Sequence, residues 1–280
     1  MNQASVRVPA TTANLGPGFD CLGVALQIYN TTTVRRGRGA APGGMAAGAA
    51  AAFFRAAGQK PFAFSWSVTG DVPRSRGLGS SVTVRLGVLH GLNELSGRPL
   101  DRHALFRICA ALEGHPDNAA PAAYGGFTVV PSCGSLQRYP VKKDLRFLLL
   151  IPSFEISTPA ARKVMPEKIP LADAVLSAGN AAGIAAAFAS GNYKKLSGCF
   201  ADGLHQPYRQ KLLPCLPAVI AAAEAAGALG GWLSGSGSTI ACIATRHPEK
   251  IARAMAVAAG LDGVEVLATG ADNSGVRIVT

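Results

Sequence analysis

The chain has 280 residues, 49% of them hydrophobic and only 15% charged, with 27 Lys and Arg against 16 Asp and Glu for a net charge of +11. That length and apolar share suffice for one large or two ordinary domains with real cores. The basic residues are spread along the chain, the one dense run Arg35-Arg36-Gly37-Arg38 has no interleaved aromatics, and the six cysteines form no C-x-x-C pair, so composition argues against a nucleic-acid interface, a zinc site and a disulfide framework. The charge suits a small anionic ligand or a solvated basic face. The N-terminus has no apolar leader, and the longest apolar stretch, residues 172–189, is interrupted by Asp173 and Asn180; a cytoplasmic protein without a membrane partner is expected.

In chain order, Val6 and Val8 alternate as in a strand, and residues 10–20 read as a turn-rich loop. Asn14 and Asp20 stand there in a Gly-Pro-Gly context, where either, taken singly, caps a turn. Leu26, Ile28, Thr32 and Val34 keep a period near two, giving the next strands, with a hairpin turn at residues 35–38. Residues 40–57 are low-complexity Ala and Gly, helix-compatible from about Ala46. Phe62, Phe64, Trp66 and Val68 alternate with small residues in a half-buried strand that delivers the chain to Pro73-Arg74-Ser75-Arg76-Gly77-Leu78-Gly79-Ser80-Ser81.

Two glycines in three residues let a backbone pass close to a ligand, and two hydroxyls follow where a helix begins. Residues 82–95 carry Val82, Leu86 and Leu89 on one stripe with Val84, Val88 and Leu92 beside it, which predicts a buried helix stopped by Gly97 and Pro99. A buried helix keeps its direction, and its N-terminus, with unpaired N–H groups, is a ready anion site. The run is neither a Walker A loop nor a dinucleotide fingerprint, since Gly79 and Val82 stand where those need Lys and Gly. Alone, it is equally an ordinary helix-entry turn.

Residues 102–112 predict a second helix with Leu105, Ile108, Ala111 and Leu112 inward. It ends at Glu113-Gly114-His115-Pro116-Asp117-Asn118, four polar groups of catalytic type within six residues. Carboxylates are what Mg²⁺ prefers, together with substrate phosphates; His115 alone reads as a hydrogen-bonded structural histidine. A composition shift over residues 134–144 suggests a domain join, giving domains 1–143 and 144–280. Residues 146–151 form an apolar strand, and Ser157-Thr158-Pro159-Ala160-Ala161-Arg162 opens a short helix with a hydroxyl cap and an early Pro. Ala-rich helices follow over residues 171–190 and 193–200. In Asp202-Gly203-Leu204-His205-Gln206-Pro207-Tyr208-Arg209, the arginine is either a helix-surface charge or a carboxylate clamp. A helix over 217–228, a Gly/Ser turn between two strands around residues 230–244, a helix over 248–259 and strands over 264–267 and 276–279 complete a split βαβ, ferredoxin-like order, with the last strand either closing it or returning to the first domain.

Three stretches together resemble the signature motifs of the GHMP small-molecule kinases: Val8-Pro9-Ala10-Thr11-Thr12-Ala13-Asn14-Leu15-Gly16-Pro17-Gly18-Phe19-Asp20, the loop from Pro73 to Ser81, and Leu233-Ser234-Gly235-Ser236-Gly237-Ser238-Thr239. The segments at Glu113, Ser157 and His205 are similar to the branch of that family that acts on L-homoserine. The resemblance covers almost the whole chain. It implies an α+β, two-domain GHMP kinase fold, with an N-terminal ribosomal-protein-S5-like ATP domain and a C-terminal ferredoxin-like domain. It also implies ATP and Mg²⁺ as cofactors, a homodimer, and transfer of the γ-phosphoryl group of ATP to the side-chain hydroxyl of L-homoserine. By the same resemblance Pro73, Arg76, Gly77, Leu78, Gly79, Ser80 and Ser81 wrap the phosphates, Thr158 approaches the transferred group, and Ser81 and Glu113 hold Mg²⁺. Asn14, Asp20, Asp117, Arg162 and Arg209 match positions that hold the amino acid, with His115 and Gln206 near it. Asn118 stands where other members place an acidic residue, leaving Asp117 and Arg162 to orient or deprotonate the hydroxyl.

The chain departs from the family pattern in a short Ala/Gly-rich segment 35–53, where others help hold the adenine, in Val82-Thr83 for Ala-Ala, and in Ser238 where Pro is common. Another hydroxylated acceptor such as mevalonate, or an inactive regulatory relative, are the rival readings. The acidic pair Asp20 and Asp117 with the basic pair Arg162 and Arg209 suits a zwitterion better than mevalonate.

Overall fold

The computed structural model describes residues 2–37 and 43–279. β1 (Gln3–Ala13) and β2 (Leu22–Arg36) pair antiparallel along their full lengths, from Gln3 opposite Arg35 to Ala13 opposite Gly23. β3 (Phe64–Gly70) pairs with one part of β2 and β4 (Phe127–Val129) with another; β5 (Gln137–Tyr139) extends the sheet beyond β4, and β10 (Arg277–Ile278) adds to the free edge of β1. A register shift falls between Pro9 and Ala10. There Pro9 lies opposite Tyr29 but Ala10 opposite Leu26, so two residues of β2 bulge out; before the shift Val6 and Val8 pack with the helices, and after it Ala10 joins the opposite core cluster. This bulge is why the strand runs on to Ala13 where turn-rich sequence suggests a loop from Ala10: Thr11 and Thr12, both β-branched and fully buried, remain paired. β2 is likewise one strand instead of several, and Arg35 and Arg36 lie in it and not in a turn; Arg38 lies outside the described residues.

α1 (Gly44–Ala57), α2 (Ser80–Leu95), α3 (Arg102–Glu113) and α4 (Ala119–Tyr124) share one core cluster with Val6, Val8 and Val34 of the sheet. α2 is buried on much of its circumference, including Val82, Leu86, Leu89 and Leu92, as the double stripe predicts. At Gly87 a Cβ would overlap the Thr32 side chain, so the missing side chain is what lets α2 lie close on β2. On α3 the inward residues are Leu105, Phe106 and Cys109, and Ala111 faces solvent. The side chain of Asp101 caps this helix, accepting from the Ala104 N–H at 2.7 Å, and fixes where its stripe begins.

The second sheet has the order β7-β8-β6-β9, all antiparallel, from β6 (Arg146–Ile151), β7 (Gly230–Leu233), β8 (Ile240–Ala244) and β9 (Glu265–Thr269). α8 (Leu216–Ala226) and α9 (Pro248–Ala259) cover the face that carries Leu148 and Leu150. Phe147 and Leu149 point the other way, into a cluster that also holds Leu22, Val24 and Leu26 of the first sheet. Burial on both faces explains the uninterrupted apolar run of β6. Trp232 locks the two sheets together: it is fully buried, stacks on Phe200 with centroids 5.1 Å apart, and donates its indole N–H to Thr12 Oγ1 at 3.0 Å.

Between β6 and β7 run α5 (Thr158–Lys163), α6 (Leu171–Ser190) and α7 (Gln206–Arg209). Residues 193–200 form no full helix but a single 3₁₀ turn, Tyr193–Leu196, and Gly198 beyond it takes φ 81°. Among the described residues α6 is the one helix long and apolar enough to cross a membrane. It packs Ile184, Ala187 and Phe188 into the core and leaves Leu171, Val175 and Leu176 exposed.

Candidate active site

A cleft of about 540 Å³ opens where the first glycine loop, the turn after α3, the start of α5 and the β7–β8 turn meet. The glycine loop forms one wall. Gly77 and Gly79 have φ values of 73° and 67°, and a Cβ on Gly79 would collide with Thr11. Three carbonyls of the loop are pinned: Arg76 O by the Thr239 N–H at 3.1 Å, Gly77 O by Ser234 Oγ at 2.7 Å, and Leu78 O by the Thr11 N–H at 3.2 Å. Thr83 adds a tie, donating to Ser80 O at 2.7 Å while accepting from Asn30 Nδ2 at 2.9 Å. No side chain caps α2, so its first-turn N–H groups and the positive end of its dipole are left for a ligand in the cleft.

Beside this cradle, Ser81 Oγ donates to Glu113 Oε2 at 2.9 Å. Arg85 Nη1 lies 2.5 Å from Glu113 Oε1, yet that oxygen is buried without an aligned hydrogen bond. A carboxylate with one oxygen free of any aligned hydrogen bond, next to a hydroxyl and an anion cradle, fits the hard oxygen donors of a Mg²⁺ site.

The other end of the cleft is built from charges of both signs. Asp20 pairs with Arg162 Nη2 at 2.8 and 3.0 Å. Asn14, in the left-handed region at φ 69°, donates to Gly235 O at 2.9 Å and accepts from the Asp20 N–H at 3.0 Å. Asp117, 2% exposed, gathers its donors on one oxygen: Oδ1 accepts from the Asn118 N–H at 2.9 Å and pairs with His115 Nδ1 at 2.8 Å, which leaves Oδ2 for another group. The Asp117 hydrogen bond is the main reason the His115 pKa is raised, against the opposing effect of burial. Asp20, His115 and Asp117 present ligand atoms within 4.8 Å of one another. Asn118 accepts from Thr11 Oγ1 at 2.7 Å and so braces the glycine loop.

Arg209 is 2% exposed; its Nε donates to Ala161 O at 3.2 Å and its Nη1 to Gly235 O at 3.1 Å. Burial pushes its pKa down to about 10, still charged at neutral pH. His205 beside it is pushed down to about 4, chiefly by burial, and its Nε2 donates to Gly16 O at 2.9 Å. A buried histidine held neutral has a folded pKa below the 6.5 of the unfolded chain, so the unfolded state binds the extra proton and stability is lost as pH falls from about 6.5 towards 4. Urea unfolding at stepped pH should show this loss, with a limit of about 1.4 kcal/mol per unit from this one group, and His205→Gln should flatten the slope; an unchanged slope in that variant would contradict the buried neutral state.

The cleft thus brings together Asn14, Asp20, Gly77, Gly79, Ser80, Ser81, Glu113, His115, Asp117, Asn118, Thr158, Arg162 and Arg209. Four expected residues do not line it. Leu78 is fully buried beneath the loop, Pro73 lies outside the lining, and Arg76 turns away to Pro152 O at 3.0 Å and Glu155 at 3.3 Å. Gln206 accepts from the Leu233 N–H at 2.7 Å and steadies β7. Unforeseen lining residues are Arg74, Ser75 and Ser236, whose hydroxyl is 3.3 Å from that of Thr158, and an apolar end of Met45, Trp66, Val68 and Val72. The strand alternation around Trp66 was the available signal for that end; nothing in the Ala/Gly run marked Met45.

The family profile described as GHMP kinases N terminal domain matches residues 44–126, and that of GHMP kinases C terminal matches residues 184–260. The chain is 39% identical over 277 residues to the homoserine kinase of Moorella thermoacetica, covering 93% of this chain and 94% of that one. It is 38% identical over 292 residues to the homoserine kinase of Clostridium beijerinckii, covering 98% of both. The crystal structure of homoserine kinase from Cytophaga hutchinsonii superposes with a TM-score of 0.90 at 26% identity, over 100% of this chain and 98% of the other.

Proposed function

The chain belongs to the GHMP kinases and, within them, to the homoserine kinases, and from that premise we infer how its cleft divides the reaction. It transfers the γ-phosphoryl group of ATP to the side-chain hydroxyl of L-homoserine, giving O-phospho-L-homoserine for threonine biosynthesis. The observation that carries the division of labour is that the two ends of one cleft differ in chemistry: backbone N–H groups and a helix dipole at one, paired carboxylates and guanidinium groups at the other.

The first turn of α2 and the loop of Gly77 and Gly79 hold the phosphates, and the apolar end at Trp66 and Val68 receives the base. Glu113 and Ser81 hold Mg²⁺, which when bound neutralises phosphate charge. At the other end Arg162 and Arg209 take the α-carboxylate, and Asp20 with Asn14 takes the α-ammonium group. Asp117 orients the hydroxyl through the Oδ2 that its own partners leave open, and Asn118 fixes both Asp117 and the loop. Phosphoryl transfer is mostly positioning and charge stabilisation, so this orientation is the principal task of the acceptor end. In the free protein Asp20 and Arg162 satisfy each other; the zwitterion inserts between them and pairs with both.

Asp20→Asn should therefore remove the rise in melting temperature produced by L-homoserine while leaving the rise produced by ATP. Loss of both, or of neither, would contradict the division.

A further inference from the structure

Ser81 and Arg85 stand one turn apart on α2, so both side chains reach the C-terminal end of α3, where the Glu113 side chain is 10% exposed. Ser81 and Glu113 line the cleft; Arg85 does not, and meets Glu113 from the flank with its own side chain 18% exposed. Arg85 has no other carboxylate partner within 4 Å among the described residues. Its contact with Oε1 is close but not aligned as a hydrogen bond. A carboxylate this buried needs a compensating charge, and in this fold the Arg85 guanidinium is the cation that stands against it.

We propose that Arg85 is the resident counter-ion of Glu113, a built-in competitor that neutralises the carboxylate in the metal-free protein and yields Oε1 when the divalent cation arrives with nucleotide. The proposal rests on the reading of Glu113 as a metal ligand. Its consequence is that metal affinity is set by the difference between two counter-ions. Removing the guanidinium leaves the carboxylate uncompensated and strengthens its hold on a cation. A merely structural arginine predicts the reverse, since its loss would free Glu113 to swing away and weaken metal binding.

The test is Mn²⁺ binding to the full chain in the presence of a non-hydrolysable ATP analogue, read by the electron paramagnetic resonance signal of free Mn²⁺. Arg85→Met should bind Mn²⁺ about ten-fold more tightly than the parent, Arg85→Lys should stay close to the parent, and Glu113→Gln should lose most of the binding. Unchanged or weaker binding in Arg85→Met overturns the role of Arg85. Full binding in Glu113→Gln overturns the assignment of Glu113 instead. Should Arg85→Met fail to fold, Arg85→Gln, which keeps a donor without the charge, carries the same expected result and the same refutation.

Discussion

Asp117→Asn should lower kcat by about 10²- to 10³-fold while leaving the KM for ATP within a factor of about two. The carboxylate is 2% exposed, and its Oδ1 is fixed from the Asn118 N–H and from His115. Its other oxygen accepts from none of these groups, and Asp117 lines the cleft. Replacing it by an amide keeps the volume but removes the charge that draws the hydroxyl proton and aligns the attacking oxygen. The raised His115 pKa depends first on the same hydrogen bond, so the variant should also let that pKa fall, which NMR titration of the imidazole would record. Turnover near that of the parent would remove Asp117 from the mechanism; a matching rise in the KM for ATP would mean that the substitution had disturbed the glycine loop through Asn118.

Arg209→Met should raise the KM for L-homoserine at least about 30-fold, the effect of losing about 2 kcal/mol from a buried charged contact. Arg209 reaches the cleft from α7 with its guanidinium already anchored on Ala161 O and Gly235 O, so little freedom is lost when a carboxylate binds. Its charge survives burial, with a pKa near 10. Arg209→Lys should fall between the two, since an ammonium cannot reproduce the planar fork. An unchanged KM for homoserine in Arg209→Met would mean that Arg162 alone holds the carboxylate.

Local pattern made most of the scaffold legible. The double stripe of α2, the capped start of α5 and the alternation of β3 each report a structural period or a terminal signal that needs no tertiary context. The failures share a cause. β1 continues past Ala10 because a bulge and two buried threonines are held by the opposite strand, and Ala111 faces solvent because the packing of α3 favours Phe106 and Cys109. Neither preference is written in the residues concerned.

At the site, residue types and order singled out Glu113, both arginines and the glycine loop, which the fold brings to one cleft. Direction was not legible. Arg76 and Gln206 are drawn away by a carbonyl and an N–H from distant segments, whereas Arg74 and Ser75, just before Arg76, line the cleft. The change from Ala to Thr83 has a structural counterpart in the tie between Ser80 and Asn30, which no reading of the loop alone would reveal.

Phosphoryl transfer to L-homoserine is read most directly as ADP release with Mg-ATP in the presence and absence of L-homoserine, with L-serine, L-threonine and mevalonate as controls. Release should depend on L-homoserine and be far slower with each control. Release that is independent of L-homoserine or greater with mevalonate, or no release with any acceptor while ATP still raises the melting temperature, would contradict it.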